Sequence, residues 1–224
     1  MHDDIGEKGV NVACVPEIES ALSKNHADGF LNILSFHSGL EHVHLPGKMD
    51  YLFARRISKK VPYIHYGHHP HVPQSYETID DSHIFYSLGN FCFDDVYSQV
   101  SSQPLVTMSE QNKICLIPIL NITNNLVHKV ELFWFKIGDI AFELLTPEKD
   151  NFITTVRNSL VDRALDDFIK ERSEILKRHK KKRTASRDLE WYLKRLNIHY
   201  LKLALNSRRN AKLYRSNFVN YLKA

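Results

Sequence analysis

The sequence predicts an α/β domain followed by a basic helical arm. Three features carry that expectation. Between Phe30 and Tyr66 the chain alternates strand-like and helical patterning. Between Lys113 and Leu145 three strand-like runs follow one another with turn residues between them. After about residue 150 the charge reverses: residues 1–150 carry 11 Lys/Arg against 19 Asp/Glu, whereas residues 151–224 carry 19 against 7. The organisation expected is therefore a domain over 1–150 and a helical extension over 151–224.

Each element has a local reason. Val10–Val15 alternates and is β-branched, which predicts a short strand, and Glu17–Lys24 predicts a turn or two of helix. Phe30–Phe36 (F-L-N-I-L-S-F) predicts a buried strand ending at His37. Pro46 is placed to open a helix reaching about Lys60, with Met49, Phe53, Ala54 and Ile57 on one face. Val61–Tyr66 predicts another short strand, ended by Gly67. Ile84–Ser87 predicts a further strand, with Leu88-Gly89-Asn90 as the turn after it. Lys113–Leu120, Leu126–Phe135 and Ile140–Leu145 predict an antiparallel meander, with Asn124-Asn125 and Gly138-Asp139 as its turns. Gln99–Gln111 is polar and reads as a loop. Helical spacing without Pro or Gly covers 152–182 and 187–222, with Ser186 placed as the N-cap of the second helix.

Composition excludes several classes. A hydrophobic fraction of 43% and an aromatic fraction of 11% suit a globular chain, not a disordered one. No apolar run approaches the ~18 residues that a membrane-spanning helix needs. Met1–Val15 lacks the apolar core of a secretory signal. Cys14, Cys92 and Cys115 are widely spaced in apolar contexts, which predicts buried free thiols rather than a disulfide framework or zinc ribbon. The expected location is cytoplasmic or peripheral to the inner face of the membrane.

Chemistry concentrates in one segment. Nine of the thirteen histidines lie between His26 and His83. Ser35–His42 reads S-F-H-S-G-L-E-H and Gly67–His71 reads G-H-H-P-H, each after a predicted strand. Imidazoles on turns that follow strands of similar direction can converge on one point, as a metal site requires. Neutral imidazole suits Mn, Zn or Fe, and such a cation activates water and stabilises phosphoryl charge.

The order H-S-G-L-E-H, then G-H-H-P-H-V-P-Q, then I-F-Y-S-L-G-N-F-C-F-D resembles the CapA family of capsule and poly-γ-glutamate synthesis. That family belongs to the calcineurin-like metallophosphoesterases. The resemblance covers roughly residues 9–95. It implies a partial metallophosphoesterase-like α/β/β/α sandwich, with residues 1–150 as the C-terminal portion of such a domain and a divalent-metal site at the strand ends. His37, His69 and His71 fall at ligand or phosphate-contacting positions. Glu41 falls at the family's acidic position, with a catalytic role, and His68 is placed to donate a proton. Asn90 matches the post-strand asparagine. The activity implied is metal-dependent phosphoester hydrolysis in capsule or exopolymer biosynthesis.

The departures from the family pattern have consequences. Ser38 stands where the family has Trp, and His42 where an aromatic follows the glutamate. The family's early Gly-Asp strand end, its Asn-Leu-Glu phrase and its Asn-Asn-His phrase have no counterpart here. Asn25-His26-Ala27-Asp28-Gly29 echoes the last of these only superficially. Those segments supply the carboxylate side of the site, so the expected metal affinity of this chain is weak. A partner carrying the absent half, or other capsule-synthesis proteins, would complete it. The alternative expectation is a non-catalytic, truncated module that docks a partner.

The arm points elsewhere. Lys177–Arg183 (K-R-H-K-K-K-R) and the group Arg208, Arg209, Lys212 and Arg215 can attract an anionic membrane surface or an anionic polymer. Trp191, Tyr192, Tyr200 and Tyr214 interleave aromatics as interfacial helices do. No nucleic-acid reader motif is present.

Overall fold

The computed structural model of the chain describes residues 12–93, 95–97, 104–160, 163–184, 189, 193 and 196–223. After helix α1 (Val15–Ala27) come β1 (Ile33–His37), α2 (Lys48–Ser58), β2 (Ile64–His68), β3 (Tyr76–Ile79) and β4 (Ser82–Phe85). The four strands form one sheet in spatial order β1-β2-β4-β3. β1, β2 and β4 run parallel, and β3 pairs antiparallel with β4. Parallel neighbours cannot be joined by a tight turn, and α2 provides the crossover from β1 to β2. The register sets Ile33 opposite Ile64 and His37 opposite His68. Both strands therefore end level, and the loops after them leave from the same edge of the sheet.

One face of this sheet is covered by α2, whose Phe53, Ala54 and Ile57 are fully buried. Phe36 stacks on Phe53 with ring centroids 4.9 Å apart. The other face meets a second sheet, an antiparallel meander. A short pair, β5 (Val96–Tyr97) and β6 (Pro104–Val106), precedes β7 (Ile114–Thr123), β8 (Leu126–Ile137) and β9 (Phe142–Leu145). Ile64 and Phe85 of the first sheet share a core with Ile114, Leu116 and Trp134 of the second. The result is helix on sheet on sheet, an α/β fold with its core between layers. The β7–β8 turn is Asn124-Asn125, with φ of 51° and 61°. Asparagine tolerates this left-handed conformation, which matches the twist of a two-residue hairpin.

His65 lies wholly inside the first layer, ringed by Phe36, Phe53, Tyr63 and Tyr86. Burial pushes its pKa down from 6.5 to about 3. Above the ordinary value both folded and unfolded chains hold a neutral ring, and His65 contributes nothing to pH dependence. Between the two values the unfolded chain binds a proton that the fold refuses, so stability falls as pH drops from 6.5 toward 3. The slope approaches about 1.4 kcal/mol per pH unit for such a group. His65→Leu is expected to flatten this limb when urea midpoints are measured from pH 7 to pH 4. An unchanged slope in the variant would assign the acid sensitivity to other groups.

Several elements differ from the sequence expectation. Val15 starts α1 instead of ending a strand, because the apolar face of 15–27 has helical spacing; Val10 and Asn11 lie outside the described residues. The Y-E-T-I run became β3, although two of its four residues are polar. Its glutamate is held by Arg55 at 2.6 Å and by the Tyr86 hydroxyl at 2.6 Å. Part of the expected 99–111 loop is strand, since Pro104–Val106 finds a partner in β5. The cysteines are free, but Cys92 is exposed; only Cys115 is buried, which pushes its thiol up to about 11.

The periodic stretch 152–182 is two helices, α3 (Asn151–Asn158) and α4 (Leu165–Thr184). Asp150 caps α3 by accepting from the backbone N–H of Phe152 and Ile153. The Arg163 guanidinium donates to the carbonyl of Ser159 at the other end. Ile153 and Val156 of α3 join the inter-sheet core, and Phe168 of α4 stacks on Tyr51 of α2 at 5.4 Å. Packing therefore continues past residue 150, where the charge reverses. One compact unit comprises Leu22–Arg172, and a second comprises Met1–Ala21 with Ser173–Ala224.

The second unit contains the C-terminal part of α4, α5 (Ile198–Tyr214), a π turn (Arg215–Val219) and α6 (Asn220–Lys223). Asn197 caps α5 by accepting from the Tyr200 N–H at 3.1 Å. Ser186, Trp191 and Tyr192 lie outside the described residues. No described helix is long and apolar enough to cross a membrane.

Candidate functional site

The level ends of β1 and β2 launch two loops that are stitched together by backbone. The Ser38 N–H donates to the carbonyl of His68 at 3.1 Å, and the His42 N–H to that of Pro70 at 2.7 Å. Close contact explains Gly39: its φ is 108°, and a Cβ there would lie 3.1 Å from the Pro70 ring. The Gln74 side chain donates to the carbonyl of Val43 at 2.7 Å and anchors the far end of both loops.

Three histidines in these loops have left-handed backbones: His42 at φ 61°, His69 at φ 105° and His71 at φ 58°. Non-glycine residues seldom adopt such angles, and clusters of them mark sites where geometry outranks local comfort. Here the strain turns Glu41, His69 and His71 toward one another. One ligand atom from each falls within 4.8 Å of the others. Two imidazoles and a carboxylate form a donor set for zinc, manganese or iron with open positions left for water and substrate. The residues present thus fit a divalent cation. Glu41, expected in a catalytic role, belongs to this triad, whereas His37 does not.

The residues around the triad prepare it. Asn90 is buried, and its amide donates to the carbonyl of Asn112 at 3.1 Å, which turns its oxygen toward His71 Nδ1 at 2.9 Å. His71 must therefore carry its proton on Nδ1 and present a bare Nε2. Asn112 donates to the His71 carbonyl at 2.7 Å and to His42 Nδ1 at 2.8 Å. The same side chain accepts from Ser109 in a capping box. Asn112 was not among the residues singled out in the sequence. Its only local signal is the S-E-Q-N capping pattern, which says nothing about a partner 41 residues away.

His37 lies beside the triad, its ring centroid 4.5 Å from that of His69. Its Nδ1 faces Nδ1 of His68 at 2.8 Å, and Nε2 of His68 meets the Ser35 hydroxyl at 3.1 Å. One proton, and only one, can sit between the two facing nitrogens. Both ring nitrogens of His68 are engaged, so His68 stands behind His37. The pKa values of His68 and His69 are lowered, first by burial and then by the neighbouring imidazoles. Both rings are accordingly held toward the neutral form, which in His69 is the form that ligation needs. His65 and His83, from the same dense segment, serve the fold instead: the first is core, and the second bonds the Tyr76 hydroxyl at 2.8 Å.

These features define an α/β domain with a strained histidine–carboxylate cluster at the ends of parallel strands. Residues 2–95 match the family described as Bacterial capsule synthesis protein PGA_cap. The chain is 37% identical over 92 residues to PGA biosynthesis protein CapA of Bacillus subtilis (strain 168), covering 41% of this chain and 23% of that protein. It is 33% identical over 106 residues to capsule biosynthesis protein CapA of Bacillus anthracis, covering 47% of this chain and 24% of that protein. The CapA resemblance is thus shown for this N-terminal segment, which holds every site residue named above except Ser109 and Asn112. The chain spans about a quarter of the length of these curated relatives.

Proposed function

We propose that this chain acts in bacterial capsule or poly-γ-glutamate synthesis through metal-dependent hydrolysis or transfer of a phosphate ester. The observation that supports this reading best is the convergence of Glu41, His69 and His71 within 4.8 Å, inside the segment that matches the capsule family. A divalent cation held by these three side chains would supply Lewis-acid charge and a more acidic water. The chain's own residues do the rest. Asn90 fixes the His71 tautomer, and His37, backed by His68 and Ser35, handles a proton at Nε2. The separation of roles can be checked by titrating Mn2+ into the protein while recording histidine ring resonances. His69 and His71 signals should broaden at the lowest metal concentrations and those of His65 and His83 last. Uniform broadening of all histidines would argue against a built site.

A second reading concerns the arm, which would bind an anionic membrane surface. Leu189, Leu193, Leu196, Ile198, Leu201 and Leu205 are all exposed, and basic residues flank them on both sides in sequence. Charge alone would suit any polyanion; exposed leucines beside it favour a surface with an apolar interior. Each Lys or Arg near an anionic bilayer contributes about 1 kcal/mol, screened by salt within about a Debye length. Co-sedimentation with vesicles should rise with anionic lipid and fall with salt. Neutralising Lys180, Lys181, Lys182 and Arg183 together should weaken it more than changes in the α/β unit do. Binding indifferent to salt and lipid charge would rule this out.

A further inference from the structure

The triad does not stand on a flat surface. Beside His71 lies a cavity of about 640 Å³ whose lining includes Phe93, Met108, Ile137, Ile140 and Phe142. Two links tie it to the cluster. The Phe93 ring meets His71 edge-on at 5.3 Å, so one side chain walls both spaces. Asn112, which holds the His71 loop, is followed directly by Lys113 of the cavity lining.

The rim has an unusual surface. Phe91, Phe93, Ile140 and Phe142 are exposed large apolar residues, and Phe91 stacks on Phe142 at 5.1 Å. Apolar side chains gathered around a concavity, rather than scattered, mark a binding site. The cavity's charges say what does not bind there. Lys113 is already paired with Glu110 at 3.1 Å, and Asp95 and Asp139 also line the space. Among the described lining residues a second anionic group would meet two carboxylates and a single cation, Lys113, which is already engaged. The volume falls within the range of small-molecule pockets, about 300–1,000 Å³.

We propose that this cavity receives the uncharged, apolar alcohol portion of a phosphoester whose phosphate sits at Glu41, His69 and His71. The assignment rests on the phosphoester reading above and narrows its substrate class to esters of aryl or bulky aliphatic alcohols. Burying one ring against Phe93 and Phe142 accounts for about a tenfold gain in affinity, since a decade corresponds to about 1.4 kcal/mol.

The test is calorimetric titration of the 224-residue protein with phenyl phosphate and with inorganic phosphate, both in the presence of Mn2+. Phenyl phosphate should bind about tenfold more tightly. Ile140→Asp and Phe142→Asp should erase that advantage and leave the affinity for inorganic phosphate unchanged, whereas His69→Ala should weaken both ligands. Ile140 is fully exposed, so its substitution tests the cavity even if the Phe142 variant fails to fold. Equal affinities for the two ligands in the unmodified protein would overturn the cavity assignment and leave the phosphate site standing. A preference that survives the Ile140 variant and a folded Phe142 variant would overturn it as well, by placing the ring elsewhere. Failure of both ligands to bind would bring down the phosphate reading and the cavity with it.

Discussion

His69→Ala is expected to lower the affinity for Mn2+ or Zn2+ by at least about 100-fold, because it removes one of three ligands from a site with little charge to spare. Among the described residues the cluster contains one carboxylate, Glu41. A lone carboxylate cannot neutralise two dications, so calorimetry on the unmodified chain should show weak binding with a stoichiometry near one. Asn90→Ala touches no ligand atom bound for the metal, yet it frees the His71 tautomer. It should cost about 10–100-fold, the usual effect of losing a partner behind a ligand. Hydrolysis of a phosphodiester by this chain alone should stay near background, and adding the carboxylate-bearing half of a CapA-family protein in trans should raise metal affinity. Robust metal-dependent turnover without that half, abolished by His69→Ala, would show that the site is sufficient as it stands.

Gly67→Ala should be among the most destabilising single changes in the chain, costing about 3 kcal/mol or more, at or beyond the usual cost of overpacking. A Cβ at this position would lie 2.1 Å from the Tyr86 carbonyl oxygen and 2.9 Å from that of Phe85. Both obstacles are backbone, so no rotamer change relieves them, and β2 and β4 would have to separate. Domain stabilities run about 5–15 kcal/mol, so the loss is a large share of the total. The site should suffer too, since β2 leads directly into His68–His71. Gly29→Ala is a useful contrast: its φ is 82°, but nothing lies within 4 Å of its Cβ. That change should cost only about 1 kcal/mol, the price of left-handed backbone. Urea midpoints of the two variants should differ widely. A Gly67→Ala midpoint near that of the unmodified protein would mean that the strands tolerate separation.

Much of the layer plan was legible because it depends on local pattern. The apolar spacing of Phe53, Ala54 and Ile57 and the Asn-Asn turn of the meander carry their meaning within a few residues. So does the charge reversal after 150, although it marks a change of surface and not the end of the packed unit. The apolar run before His37 is a strand as expected, but Phe30 and Ile33 are exposed and only Asn32 and Phe36 of it are buried. The tyrosine–glutamate strand was not legible. Its polar residues make sense only beside Arg55 and Tyr86, which come from other elements.

The site divides the same way. Histidine density after two predicted strands, together with the family phrases, named Glu41, His69, His71, His37, His68 and Asn90 as one group. Density could not sort them from His65 and His83, because an imidazole in a core and an imidazole at a strand end have the same letter. That sorting came from burial and from the parallel register that ends β1 and β2 level. Local sequence specifies which backbone each residue prefers and which face it shows. Which nitrogen of a ring carries its proton, which asparagine stands behind it and which cavity opens beside it depend on contacts between residues far apart in the chain, and those exist only once the layers have packed.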